Sequence, residues 1–373
     1  MQIVKINEIN EIEENSAIII YGAGVTGKVC LEALDEMSRF VDCFIDDDIN
    51  KVGKNIYGKT VISLDEFEME YVNRKCALVI GSIYAKIIID KLCNRSFYQS
   101  ANCTIFDVKN IYNKKKNVNL KEFINIHDMQ FVKENYEKLY EICSDDESKR
   151  IIDVMKRVYF DKYVGLDVYE EICSCEPQYF TEKIVSTLRK RKNNILDGGA
   201  FQGELLSDLL HYKIPIEELV LFEADTENYK KILDNLKEST LKSLCVAVNQ
   251  GLWNENGYLY LDGIGDTCKI SEKETDRRIS VISIDEYYQN KRVDFIKMDI
   301  EGAELSALKG AENTIKRDRP ILAICIYHSP EDFVGIPIYL DNLLENYTFN
   351  ILHHTNEYVE SILYAIPNER NNF

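Results

Sequence analysis

Val293-Asp294-Phe295-Ile296-Lys297-Met298-Asp299-Ile300-Glu301-Gly302-Ala303-Glu304 reads as an apolar strand that discharges a cluster of charges at its end. Open α/β sheets bind ligands beyond the carboxyl ends of their strands, so such a cluster marks a ligand-binding edge. The same pattern recurs on both sides of it. Asn194-Ile195-Leu196-Asp197-Gly198-Gly199-Ala200-Phe201-Gln202-Gly203 is strand, acid, glycine loop, then helix. Leu219–Phe222 runs into Glu223-Ala224-Asp225, Leu244–Val248 into Asn249, and Ile321–Tyr327 into His328. Thr348–His353 and Ser361–Ile366, split by a short polar turn, predict an antiparallel hairpin.

An open parallel sheet finished by a hairpin is the layout of class I methyltransferases. Such a loop can let an adenosylmethionine tail lie against the backbone of Gly199, Ala200, Phe201 and Gly203, with Asp197 placed to accept from its amino group; dinucleotide folds use the same physics, so loop and acid alone do not name the cofactor. It is not a Walker A loop, since no G-K-[ST] follows. Glu223 stands where a carboxylate takes ribose hydroxyls, and Asn249 lies on the same edge, within reach of an adenine. Five segments in order closely resemble the FkbM family of S-adenosylmethionine-dependent methyltransferases. They are Glu176–Phe180, Asp197–Gly203, Phe222–Asp225, Lys297–Glu304 with Leu308–Ala311, and Arg319-Pro320 leading to Tyr327-His328. The resemblance covers about residues 176–367. It implies an S-adenosyl-L-methionine-dependent O-methyltransferase acting on a hydroxyl of a sugar, glycan or related small molecule, in polysaccharide or glycoconjugate biosynthesis. Tyr179 is expected to help cover the cofactor pocket.

Methyl transfer from a sulfonium needs a positioned acceptor and a place for its proton. His328 is the expected base, because an unperturbed imidazole suits that task. Asp299 and Glu301 compete for the role, and Lys297 lies on the strand face shared with Asp299. Two carboxylates and a histidine also suit Mg2+ or Mn2+, a ligand set that spacing alone does not identify. Glu304 is read as a helix-start acid that favours the dipole.

The first hundred residues carry a second α/β pattern. Ala17–Tyr21, Val41–Ile45, Ala77–Gly81 and Thr104–Phe106 read as parallel strands, with a helix over Lys28–Met37. Gly22-Ala23-Gly24-Val25-Thr26-Gly27 is a G-x-G-x-x-G between strand and helix, with Asp46 ending the next strand. Gly22, Gly24, Gly27 and Asp46 are therefore candidate nucleotide-binding residues. The stretch Asp46–Gly53 with Tyr57–Ile62 resembles the small Rossmann-like domain that fronts some sugar-modifying enzymes, which implies a nucleotide-sugar ligand or a docking module. The expected organisation is a Rossmann-like domain over 1–112, a helical connector over 113–175 and the methyltransferase over 176–373. Two rival functions are a nucleotide-sugar-binding module with an inactive methyltransferase, and an NAD-dependent oxidoreductase, which leaves everything after residue 110 unexplained.

Composition bounds these readings. A chain of 373 residues suggests two or three domains. Its 63 acidic and 45 basic residues give a net charge of -18, which argues against a nucleic-acid-coating surface. No apolar run approaches the roughly 18 residues of a membrane span, and the acidic N-terminus lacks a signal-peptide core. Eleven scattered cysteines, an odd number, fit reduced thiols in a cytoplasmic protein; Cys30, Cys76, Cys245 and Cys325 fall in apolar runs and are expected to be buried. Lys114–Lys116 reads as a solvated loop, and Cys173 with Cys175 makes a poor zinc site.

Overall fold

A computed structural model describes residues 3–5, 12–13, 15–71, 74–82, 88, 91–92, 95, 103–107, 128–161, 166–262, 269–271, 278–356 and 358–370. Lys114–Lys116 lies outside them. The chain divides into two compact units, 1–123 with 162–167, and 124–161 with 168–373.

The first unit is one seven-stranded sheet. Its strands are β1 (Ile3–Lys5), β2 (Ala17–Tyr21), β3 (Val41–Ile45), β4 (Asn55–Ile56), β5 (Lys59–Ile62), β6 (Cys76–Ile80) and β7 (Cys103–Asp107), in the order β1-β7-β6-β2-β3-β5-β4. Every pairing is parallel except β4 with β5. β2 and β6 are continuous apolar runs buried at every position, as expected of strands covered on both faces. The chain leaves central β2 toward β3 and returns to β6 on its other side, which makes a switch point at the tips of β2 and β6. The sequence reading assigned no strand ahead of Ala17. β1 is only three residues long and gains its structure by pairing with β7, so periodicity alone misses it.

The second unit is built on β8 (Asn193–Gly198), β9 (Ile216–Phe222), β10 (Cys245–Val248), β15 (Phe295–Met298), β16 (Ile321–Cys325), β17 (Tyr347–His353) and β18 (Ser361–Pro367), ordered β10-β9-β8-β15-β16-β18-β17. β18 runs antiparallel to both its neighbours and all seven of its residues are buried. A small separate sheet joins β11 (Gly251–Leu252), β12 (Gly257–Asp262), β13 (Lys269–Ser271) and β14 (Arg278–Ile282). Helices Met129–Asn135, Leu139–Ile142 and Asp146–Phe160, which fall in the segment read as a connector, pack within this second unit. Ser148 is fully buried and its hydroxyl accepts from the Ile351 amide at 2.8 Å, and Tyr136 stacks on Phe333.

One burial expectation needs correction. Cys30, Cys76 and Cys325 are buried, but Cys245 is only half-buried because β10 is an edge strand. His353 and His354, at the end of the terminal hairpin's first strand, lie inward. His353 is fully buried with Nδ1 at 2.8 Å from the Ser361 hydroxyl, and His354 contacts the Tyr364 hydroxyl at 2.8 Å. Among the described residues no helix is long and apolar enough to cross a membrane.

Candidate active site

The charged residues named from sequence in the second unit gather at the carboxyl edge of its parallel strands. β8 ends in Asp197-Gly198 and turns through Gly199, whose φ is +73°. A Cβ at Gly199 would stand 1.7 Å from the Asp299 carbonyl oxygen, so only glycine lets this loop press against the β15 exit. Asp197 and Lys297 face each other across the β8–β15 pair, which aligns them in register. Lys297 Nζ lies 2.9 Å from Asp197 Oδ1 and donates to the Gly199 carbonyl at 2.8 Å. Both side chains are buried. Burial opposes the Lys297 charge, but Asp197 and Asp299 outweigh it and hold the ammonium above its ordinary range. Lys297 therefore braces the loop and its acid, rather than projecting free from the edge.

Glu223, at the tip of β9, closes the other side of the loop. Its Oε2 accepts from the Phe201 amide and its Oε1 from the Asp225 amide, each at 2.8 Å. Burial nevertheless pushes its carboxyl up to about 7. Folded Glu223 thus holds its proton to higher pH than the ordinary 4.5 of the unfolded chain, and ionises only as pH passes about 7. The ligand-free protein should accordingly lose stability as pH rises from 4.5 toward 7, with Glu223 contributing on the order of 1–3 kcal/mol of that loss. Thermal melts across that range should show the slope, and Glu223→Gln should flatten it. Asn249 spends its amide on the Glu223 carbonyl at 2.8 Å and the Ala224 carbonyl at 3.3 Å, which braces the β9 exit.

Past β15 the chain presents Asp299. It receives the Tyr179 hydroxyl at 3.2 Å, the Tyr327 hydroxyl at 3.1 Å, and His328 Nε2 at 3.2 Å. Burial works against its charge, but His328, Lys297 and Tyr327 more than offset this and hold the carboxyl well below the usual carboxylate range. His328 follows β16, on the neighbouring strand, and also lies 3.2 Å from Glu304 Oε1. Burial pulls the imidazole down, yet Glu304 and Asp299 together raise it well above 6.5. Flanked by these carboxylates, His328 is biased toward its protonated form, the opposite of the free base expected of it. Glu301 is half-exposed and its Oε2 is 3.8 Å from His328 Nδ1.

Several residues here carry no clear sequence signal. Glu304 does open a helix, as read, but it is fully buried and turned onto His328 and the Ile300 amide. Glu360 accepts from the Gln178 amide and is raised by burial, then by Asp299, to about 7. Tyr179, Phe201, Glu301 and Glu360 all take positive φ, from 50° to 71°, without being glycine. Such strain collects at functional sites, where the surroundings over-determine it.

In the first unit, Gly27 packs under the glycine turn, where a Cβ would stand 1.8 Å from the Gly22 carbonyl. A Cβ at Gly24 would meet nothing within 4 Å among the described residues. Asp46 accepts from the Ala23 amide at 2.8 Å, the Asp48 amide at 2.9 Å and Lys51 at 3.1 Å. Its carboxylate braces the loop.

The strand order 3-2-1-4-5-7-6 of the second sheet, with a glycine loop after its first strand and acids after its second and fourth, defines a class I methyltransferase. Residues 197–361 match the family model described as the methyltransferase FkbM domain, which marks this segment as an S-adenosylmethionine-dependent methyltransferase domain. The solved structure of methyltransferase FkbM from Methylobacillus flagellatus KT is similar at 22% identity and a TM-score of 0.53, over 94% of this chain and 90% of that one. An rRNA methylase from Streptococcus thermophilus matches at 14% identity and a TM-score of 0.32, over 49% of this chain and 90% of its own. Fibrillarin from Aeropyrum pernix, solved with natively bound S-adenosyl-L-methionine, matches at 12% and 0.31, over 48% of this chain and 68% of its own. No curated protein matches the chain.

Proposed function

We propose that this domain transfers the methyl group of S-adenosylmethionine to a hydroxyl of a sugar, glycan or related small molecule. The observation that supports this best is the convergence of Asp197, Glu223, Asp299 and His328 on one sheet edge, around a loop that only Gly199 allows. In this reading Asp197 receives the methionine ammonium, and Glu223 receives the ribose. Gly199, Ala200, Phe201 and Gly203 supply backbone to the tail, while Tyr179 closes over it. Lys297 holds Asp197 in place. Asp299, Glu301 and His328 face the acceptor. The sulfonium is itself the electrophile, so the chain's part is to align the acceptor oxygen and accommodate its proton. His328 is held between two carboxylates, so it positions Asp299 rather than taking that proton.

Calorimetry with S-adenosylmethionine and S-adenosylhomocysteine, followed by radiolabelled methyl transfer to a panel of sugar acceptors, tests the reading. Glu223→Ala should weaken cofactor binding by about 1–3 kcal/mol, the scale of hydrogen bonds to a charged group. Unchanged affinity in a folded variant would sink the ribose assignment. The glycine turn Gly22–Gly27 between strand and helix, with Asp46 bracing it, supports a nucleotide or nucleotide-sugar ligand in the first unit, which thermal-shift assays with such ligands would detect as stabilisation.

A further inference from the structure

Three donors from three elements meet beyond the end of β15. Asp299 lies in the β15 exit, Glu304 in the first turn of the next helix, and His328 after β16. Their ligand atoms all lie within 4.8 Å of one another. His328 Nε2 is 3.2 Å from Asp299 Oδ1 and 3.2 Å from Glu304 Oε1. Adjacent corners of an octahedron with bonds of ~2.1 Å are about 3 Å apart, so this spacing is what neighbouring ligands of one small cation need.

Glu304 provides the second observation. It is fully buried, and while Oε1 is engaged, Oε2 has no hydrogen-bond partner among the described residues. A buried carboxylate oxygen left without a partner costs more than an ordinary lost hydrogen bond, because it has given up its water. Charge points the same way. Asp299, Glu304 and Glu360 lie together here, Lys297 is already committed to Asp197, and a cation would take the place of the proton that His328 otherwise holds between Asp299 and Glu304.

A second trio, Asp299, Cys325 and Glu360, is equally compact. Its sulfur sits 3.4 Å from the Tyr179 hydroxyl and its Glu360 takes the Gln178 amide. The first trio holds the carboxylate oxygen that lacks a partner, and its oxygen and imidazole donors suit a hard cation.

We propose that Asp299, Glu304 and His328 bind one divalent cation of the Mg2+ or Mn2+ kind, which receives the acceptor hydroxyl; the second half of this statement rests on the hydroxyl-methylation reading above. The cation lowers the pKa of the coordinated hydroxyl, as bound metals do for water. The hydroxyl proton leaves to water, and the oxygen attacks the sulfonium methyl carbon. The carbon–sulfur bond breaks with its electron pair remaining on sulfur, which gives the neutral thioether.

The test is a titration of chelator-treated full-length protein with Mn2+ alone, followed by the electron paramagnetic resonance signal of free Mn2+. Saturable binding of one Mn2+ per chain is expected, displaced by excess Mg2+. Asp299→Asn and Glu304→Gln should each weaken it at least tenfold, whereas Glu301→Gln should retain it. If Glu304→Gln does not fold, the partly exposed Asp299→Asn decides. Absence of saturable uptake by the wild-type chain, or undiminished uptake by folded Asp299→Asn, would overturn the site. S-adenosylmethionine affinity measured on the same metal-free samples separates the two readings: cofactor binding without Mn2+ uptake removes the metal and leaves the methyltransferase.

Discussion

Replacing Lys297 with methionine is expected to lower stability by about 3–5 kcal/mol, the cost of leaving one partner of a buried ion pair uncompensated. Lys297 and Asp197 are both buried and 2.9 Å apart, and the ammonium also ties down the Gly199 carbonyl. Methionine fills much of the same volume but satisfies neither group. Denaturant midpoints at neutral pH should register the loss, and calorimetry should register weakened S-adenosylmethionine binding as the loop relaxes. The double variant Lys297→Met with Asp197→Leu separates the two effects. It should recover much of the stability, since apolar replacement of a whole buried pair is often neutral, yet should not recover cofactor binding. Stability lost to a similar extent in both variants would show that packing, not charge, is what Lys297 supplies.

Gly199→Ala is the second severe change. The added methyl would stand 1.7 Å from a backbone carbonyl, at a φ of +73° that side chains rarely adopt. No flexible side chain is available to give way, so the loop or the β15 exit must shift. A destabilisation of at least about 3 kcal/mol is expected, at the upper end for single substitutions. If the variant stays folded, the displaced loop should still lose measurable S-adenosylmethionine affinity. A stable variant with wild-type affinity would mean that the contact between Gly199 and Asp299 is unimportant to the site.

Both predictions fall on residues that sequence marks well. Asp197, Gly199, Glu223 and Asp299 follow apolar runs that β pairing needs, and a strand followed by an acid or glycine is a local signal. The hairpin was legible for the same reason. What escaped depends on distant segments. Glu304 looks like a helix-start acid from its neighbours, and only the fold places His328 against it. Glu360 and Gln178 are 182 positions apart and meet because Tyr179 and Glu360 both adopt left-handed backbone, which no residue-type rule predicts for tyrosine or glutamate. His328 itself was found from its position at a strand end, but its charge is set by those same unseen neighbours.

The placement of β18 between β16 and β17 also governs how the molecule is made. On a ribosome, β16 and β17 emerge before the strand that must pair with both. Until Ser361–Pro367 has left the exit tunnel, the five-residue β16 and the seven-residue β17 each carry a row of unpaired amides and carbonyls. The nascent sheet cannot seal, and the half-built domain is adhesive until that strand emerges. A nonsense mutation anywhere between Tyr347 and Ser361 should thus yield aggregates rather than a shorter enzyme. Chaperone demand during synthesis should peak in that same interval.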